Sequence, residues 1–498
     1  MLTVNSDEMK KIEERTFNDF CVPSVVLMEN AAHGFFDALK SETGCVSGKK
    51  IAVFCGKGNN GGDGYAIARY LFNAGAYITV FRLCDEEKIK GDAKTNYEII
   101  KKMNITIKEN PCDLKNCDII IDAIFGIGFY GKAEGKEKEA IELINESKAF
   151  TASVDVPSGI CVSDGKVDGE AVFADLVVTF GFYKTGLFLY PAKEYAKKVV
   201  CCDISIPKNI ADSGGKTFLL DKDILKLLPE RKANSHKGSF GRVLCLAGSE
   251  KYTGAAYLCA TAAQKSGAGL VTCAVPECAY EILASKFTEV MTLALAKDIT
   301  LAQETIKDFA KDVLLVGCGM GRSEYAKNII LNTIESTDVP CVIDADGLNA
   351  LIGHLDLLKK RKNATILTPH IKEFARLLDV STEEVLNNRL SLVCSFAKEY
   401  GVVLVLKSAD TVIALPDGKV FICAYSNSGL AKGGSGDVLA GICVSLLAQS
   451  VTAEAAACAA VYLHSRAGFF AKENLGEYFM TATDIIKYLP MAFGEKDN

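Results

Sequence analysis

The chain of 498 residues has no basic surplus. Lysine and arginine number 56 against 62 acids, a formal net charge of -6, and that balance leaves no electrostatic footprint for nucleic acid. There is no long hydrophobic run. The longest apolar stretch, VLAGICVSLLA, is about half of the ~20 residues that a membrane span needs, so no membrane segment is expected. The opening MLTVNSDEMKKIEERTF carries acids where a signal peptide needs an apolar core, which points to a cytoplasmic protein. The 19 cysteines contain no CxxC pair and no zinc spacing. Their total is odd and several sit in apolar strand-like runs, so reduced, buried thiols are expected rather than a disulfide framework. There is no short repeat and no low-complexity tract. No GxxxxGK[ST] occurs, which argues against a P-loop fold.

What is present is the composition of a soluble globular protein, 49% hydrophobic and 24% charged, in a chain too long for one core. In the first half, apolar runs rich in β-formers alternate with amphipathic segments: IAVFC (51–55), AYITVF (76–81), CDIII (117–121), ASVDV (152–156), LVVTF (176–180) and VVCCDISI (199–206). Such alternation predicts βαβ units and a mainly parallel sheet. The segment PKNIADSGGKT reads as a linker. The pattern then restarts with RVLCLAGS (242–249), LVTCAV (270–275), VLLVG (313–317), CVIDADG (341–347), ATILTPH (364–370) and VVLVLKS (402–408). TVIALPDGKVFICA reads as a hairpin turning at Asp417-Gly418. Two α/β domains are predicted, 1–212 and 213–498.

In open parallel sheets ligands sit beyond the carboxyl ends of the strands. Three features fall there in the first half. The turn GKGNNGGDGY fits the dinucleotide fingerprint at Gly56, Gly58 and Gly61, but adds Asn59, Asn60 and Asp63, which a plain pyrophosphate turn does not need. Asp122 closes IIIDAIFGIGFYG. Asp155 stands in SVDVPSG, followed by Ser158 and Gly159. Singly, each reads as well as a packing turn or a helix cap. Together, carboxylates and amide oxygens converging on one sheet edge suit a hard cation bound through oxygen, and an Asp there suits acid–base work.

The segments KGNNGGDGYAIARYL, DAIFGIGFYGK and VDVPSGI together resemble the NAD(P)H-hydrate epimerase domain, over roughly residues 5 to 210. Enzymes of that family interconvert the R and S hydrates of NADH and NADPH (NADHX and NADPHX), which bear a hydroxyl at nicotinamide C6. The resemblance implies a Rossmann-like three-layer fold. It implies that Asn59, Asn60, Gly61, Gly62 and Asp63 line the hydrated dinucleotide, as do Gly126, Ile127, Gly128, Phe129, Tyr130, Gly131 and Lys132. It further implies that Asn60, Asp122 and Ser158 hold a potassium ion and that Asp155 contacts the substrate as acid or base.

In the second half, SGLAKGGSGDVLAGICVSLL sets a Gly/Ser turn at the start of a long apolar helix, which aims free N–H groups and the helix dipole at one point, an anion hole for phosphate. Asp437 in its first turn is placed to take a proton from a hydroxyl nucleophile. Asp344 and Asp346 end a strand, where they would help hold magnesium through water or cap a turn. His370 in LTPHIKEF reads as structural or ligand-facing, and Lys407 as a phosphate contact or a surface charge. These motifs, with YTGAAYLCATAAQKSGAGLVT, resemble the dehydratase of the same repair system, a ribokinase-like α/β fold, over about 217 to 490. The resemblance implies that Asp437 is the base and that Gly436, Lys407, Ser408, Ala409, Asp410 and Thr411 lie along the nucleotide. Ala255, Gly319, His370 and Asp437 would contact the hydrate. Magnesium is expected, with ADP (or ATP) as phosphoryl donor. The chain departs from the family at Cys318, where GPG is usual, and at Lys372, where Gly is usual.

Two other readings compete: a sugar or vitamin kinase joined to a Rossmann-type oxidoreductase, and a degenerate nucleotide-sensing module on a catalytic second half. The first needs a ribose-binding acid after the second strand, where Arg82 and then Asp85 occur; the second predicts loss of acids that are intact. The apolar faces of such α/β domains often pair, so a homo-oligomer is expected.

Overall fold

The computed structural model describes residues 1–110, 114–211 and 215–496. The chain divides into two compact units, Leu2–Thr217 and Phe218–Asn498 with Met1. The expected boundary at 212/213 lies outside the described residues.

In the first unit seven strands pair in parallel: β1 (Lys50–Cys55), β2 (Tyr77–Arg82), β3 (Thr106–Lys108), β4 (Ile119–Ala123), β5 (Phe150–Val154), β6 (Leu176–Phe180) and β7 (Val199–Cys202), in the order β3-β2-β1-β4-β5-β6-β7. β4 and β6 are buried along their whole length and β1 beyond Lys50, which is why they read as continuous apolar runs rather than alternating ones. The strand order reverses between β1 and β4, the switch point at which an open parallel sheet offers a ligand site. Helix α1 (Ser6–Asn18) starts on a capping box, Asn5 accepting from the Glu8 N–H and Glu8 accepting from that of Asn5. It buries Met9, Ile12 and Thr16 on one stripe. Helix α2 (Asn59–Asn73) leaves β1 through the glycine turn. A Cβ on Gly56 would lie 2.1 Å from the Ile124 carbonyl oxygen and one on Gly61 2.0 Å from that of Gly56. These glycines let backbone pack on backbone; around Gly58 the space is open.

The second unit repeats the plan with β8 (Arg242–Leu246), β9 (Leu270–Pro276), β10 (Met291–Leu295), β11 (Val313–Val316), β12 (Cys341–Ile343), β13 (Thr365–Leu367) and β14 (Val403–Leu406), all parallel. The antiparallel hairpin β15 (Val412–Ala414) and β16 (Val420–Ile422) follows. The order is β10-β9-β8-β11-β12-β13-β14-β15-β16, with the switch between β8 and β11. Helix α3 (Ser435–Ala448) is buried on every side from Val438 onward, as its largely apolar sequence requires. It packs with helix α4 (Ala453–Leu475) in the main core cluster.

The expected strands form, but most stop short of their polar ends: β5 at Val154, β7 at Cys202, β12 at Ile343. The edge strands β3 and β10 were not expected, being short and only partly buried.

Candidate active sites

A cavity of about 620 Å³ opens at the switch point of the first unit. Of the residues expected there, Asn59, Asn60, Asp63, Gly126, Ile127, Gly128, Phe129, Tyr130 and Asp155 line it. Gly61 and Gly62 are buried beneath the turn, and Gly131 and Lys132 lie outside the lining. The rings of Phe125 and Phe129 stack at 4.5 Å on one wall.

Asp122 is fully buried at the end of β4. It accepts from the Ser158 hydroxyl (2.5 Å) and N–H (2.8 Å), from the Ser153 hydroxyl (2.8 Å) and from the Ile124 N–H (3.3 Å). Burial raises its pKa, and these donors oppose the rise. Ser158 also accepts from the Phe125 N–H, and the Asn60 amide donates to the Phe125 carbonyl at 2.8 Å, which leaves its own oxygen free to accept. Among the described residues no basic side chain pairs with Asp122. Beside the two N–H donors, the oxygens gathered here are those of Asp122, Ser158 and the Phe125 carbonyl, with Asn60 adjoining, groups of the kind that a hard cation takes.

Asp155 directly follows β5 in the left-handed region, φ 66°, a strained conformation for a side chain with a Cβ. Its Oδ1 pairs with Lys184 at 2.7 Å and accepts from the Thr179 hydroxyl (2.9 Å) and the Phe180 N–H (3.3 Å). Lys184 is buried and donates also to the Phe180 carbonyl. Four more carboxyls line the cavity, Glu13, Asp63, Asp92 and Glu137, and the first two feel the Asp155 charge. Asp63 is pushed well above its ordinary value by burial, then by the charges of Asp155 and Glu13. Glu13, on α1, is pushed up to about 7, by burial first and by Asp155 next. Neither Lys184 nor Glu13 stood out in the sequence. The available signal for Glu13 was its place one helical turn after Met9, beside the buried stripe; for Lys184, its position just beyond a buried strand.

In the second unit the ends of β11, β12 and β14 meet the start of α3. Lys407 binds Asp344 at 2.6 Å, and one oxygen of Asp344, one of Asp437 and the Cys318 sulfur lie within 4.8 Å of one another. Asp437 is half-buried; burial and the neighbouring Asp344 charge raise its pKa to about 6, against the pull of Cys318 and Lys407. Burial opposes the Lys407 charge, but Asp344 and Glu373 carry its pKa above the ordinary value. A Cβ on Gly436 would stand 3.1 Å from Lys407 Nζ, so the ammonium reaches the first turn of α3. Behind that turn His464 is buried with its Nε2 3.0 Å from the Ser435 carbonyl, and burial lowers its pKa to about 4. Gly317, φ 122°, crosses over the Asp344 backbone where a Cβ would lie 2.0 Å from its carbonyl oxygen, and Cys318 is buried beyond it. Ala255 packs against Gly319.

The other expected residues divide. His370 caps helix 371–378, its Nδ1 accepting from the Glu373 N–H at 3.1 Å, and burial lowers its pKa. Asp346 accepts from the Gly321 N–H and the Asn349 amide. Ser408 and Thr411 close a loop in which Asp410 is buried against Arg389 at 2.7 and 2.8 Å, so that the Asp410 carboxylate organises the loop. Asp85 pairs with Lys88 on the surface and Arg82 binds Glu86, Glu109 and Tyr97, which leaves the end of β2 without an acid aimed at a ribose.

Comparison with known proteins decides between the readings. A bifunctional NAD(P)H-hydrate repair enzyme of Moorella thermoacetica is 38% identical, over 98% of this chain and 96% of its own. The corresponding enzyme of Coxiella burnetii is 35% identical over 93% of each. The chain belongs to the bifunctional NAD(P)H-hydrate repair enzymes. The family model described as YjeF-related protein N-terminus matches residues 24–186, and the NAD(P)H-hydrate dehydratase model matches 243–491. An ADP/ATP-dependent NAD(P)H-hydrate dehydratase of Bacillus subtilis, co-crystallised with ATP and Mg²⁺, superposes with a TM-score of 0.50 at 28% identity over 56% of this chain and 98% of its own. A ribokinase-like protein of Enterococcus faecalis does so equally well at 29% identity. Within this repair family the kinase–oxidoreductase and sensor readings lose their ground. No helix among the described residues is long and apolar enough to cross a membrane.

Proposed function

We propose that the first unit interconverts the R and S hydrates of NADH and NADPH, and that the second returns the S hydrate to the reduced cofactor at the expense of ADP, giving AMP and phosphate. The observation that carries this reading is the pair of family matches in one chain, each over a unit whose strand ends gather acids at a switch point.

In the first unit the hydrate lies along the 59–63 turn and the 126–132 loop, with nicotinamide C6 near Asp155. Expulsion of the C6 hydroxyl is driven by the ring nitrogen, and water returns to either face. The Asp155 carboxylate, held by Lys184, Thr179 and Phe180, faces the positive charge that develops on the ring. Asn60, Asp122 and Ser158 would hold potassium, which would neutralise the buried Asp122 and brace the loop after β4.

In the second unit Asp437 takes the proton of the C6 hydroxyl as that oxygen attacks the terminal phosphorus of ADP, and a pKa near 6 leaves it ionised at neutral pH. The N–H groups at the start of α3 and Lys407 receive the phosphoryl oxygens. Asp344 and Asp346 would help hold magnesium, which would neutralise charge on the nucleotide phosphates. The ring nitrogen then expels phosphate from C6, and loss of a C5 proton restores the dihydropyridine.

The test is recovery of the reduced-nicotinamide absorbance from mixed R and S NADHX, with magnesium and potassium and with ADP and ATP offered separately. Near-complete recovery is expected with ADP. Recovery that stalls once the S form is consumed would remove the epimerase, and none with either nucleotide would remove both activities.

A further inference from the structure

Proton supply is the part of the first unit's chemistry that Asp155 leaves uncovered. Its Oδ1 is already taken up by Lys184, the Thr179 hydroxyl and the Phe180 N–H. Hydroxide is a poor leaving group, so the C6 oxygen must be protonated as its bond breaks, and the incoming water must give a proton up.

Four other carboxyls line the cavity, Glu13, Asp63, Asp92 and Glu137; of these Glu13 and Asp63 feel the Asp155 charge, and neither side chain forms an ion pair or hydrogen bond among the described residues. Glu13 stands on a rigid support. Its helix is fixed at the start by the Asn5–Glu8 capping box and buried through Met9 and Ile12 in a cluster with Val4 and Ile210, against which Ile127 of the substrate loop packs. The side chain therefore projects from a held backbone into the space that Asp155 and Lys184 face from the opposite elements.

We propose that Glu13 is the proton donor and acceptor at the C6 oxygen during epimerisation, an assignment that rests on the epimerase reading above. Its proton goes to the C6 hydroxyl oxygen, the C6–O bond breaks with its electron pair leaving on water, and the N1 lone pair forms the N1=C6 double bond. Water then adds to C6 from either face, the π pair returns to N1, and the extra proton on the new hydroxyl goes back to Glu13. Nothing is oxidised or reduced, and the carboxyl ends as it began.

The charged groups facing Glu13 support the assignment. Burial and the Asp155 charge raise its pKa to about 7, against Lys184 across the cavity and Lys10 on its own helix. A group near neutrality gives and takes a proton with equal ease. Asp63 shares the cavity and is also raised, by burial first and then by the Asp155 and Glu13 charges, against Lys184.

The experiment follows conversion of purified (R)-NADHX to the S form by the full chain, without nucleotide, from pH 6 to 9. For wild type, kcat should fall as pH rises through about 7, because the proton-donating form is lost. Glu13→Gln should lower kcat by about 10²–10⁴-fold with KM little changed and the alkaline limb gone. Glu13→Asp should recover part of the rate, with the limb displaced. A Glu13→Gln enzyme of near-normal rate, or one that keeps the wild-type limb, overturns the assignment. Equal loss in both variants together with loss of hydrate binding makes Glu13 a structural residue and also overturns it. Failure of the wild-type chain to interconvert the hydrates would instead sink the epimerase reading on its own.

Discussion

Lowering the pH from 8 to 5 should cost the second unit about nine-tenths of its dehydration rate, and the residue responsible should be Asp437. Burial and the Asp344 carboxylate raise its pKa to about 6. Only the ionised form accepts a proton, so the rate falls as pH drops through that value. At pH 5 a base titrating near 6 is about one-tenth ionised, whereas an unshifted aspartate would remain more than ~90% ionised. The stability contribution runs the other way. A carboxyl whose folded-state pKa is raised favours folding below its unfolded value and loses that contribution as pH rises through about 6, so acid inactivation does not come from unfolding at this group. The neighbours make the test sharper. Asp344→Asn removes the repelling charge and leaves Lys407 unpaired, and both effects should move the acid limb to lower pH. Asp437→Asn should lose about 10²–10⁴-fold in rate and the limb with it. The assay is the initial rate on purified S hydrate with saturating ADP at constant ionic strength. A flat profile from pH 5 to 8, or a limb that stays in place in Asp344→Asn, would refute the assignment.

Arg389→Met should destabilise the second unit by about 3–5 kcal/mol, because Asp410, almost wholly buried, would be left as an unpaired charge; the denaturation midpoint reads this, and a loss under about 1 kcal/mol would contradict it. Adding Asp410→Leu to that variant should return much of the loss. Gly61→Ala should cost about 1–3 kcal/mol in thermal unfolding of the first unit and impair epimerisation, since its Cβ would strike the Gly56 carbonyl; an unchanged enzyme would show that the turn yields easily. Replacing potassium by choline should slow epimerisation in wild type, and Asp122→Asn should abolish the response, as followed by the R-to-S rate. A rate indifferent to the cation would remove potassium from the site.

Much of this protein is legible in one dimension because its strands are local. Runs such as IAVFC and LVVTF are apolar on both faces, as a parallel sheet covered by helices demands, and they announced the two α/β units and most of the strands. The site motifs were legible for the same reason. The asparagine turn, Asp122, Asp155 and the glycine turn before Asp437 all follow a buried strand or open a buried helix, where chain direction alone carries them to a sheet edge. The short edge strands Thr106–Lys108 and Met291–Leu295 escaped because an edge buries too little to impose a pattern. What only the tertiary structure decided is which groups surround each acid. Sequence spacing cannot bring Glu13 to Asp155, pair Asp155 with Lys184, turn Asp410 away to Arg389, or set Asp344 beside Asp437. Proton affinities depend on burial and on charges a few ångströms away in space, and those neighbours come from segments that only the folded chain brings together.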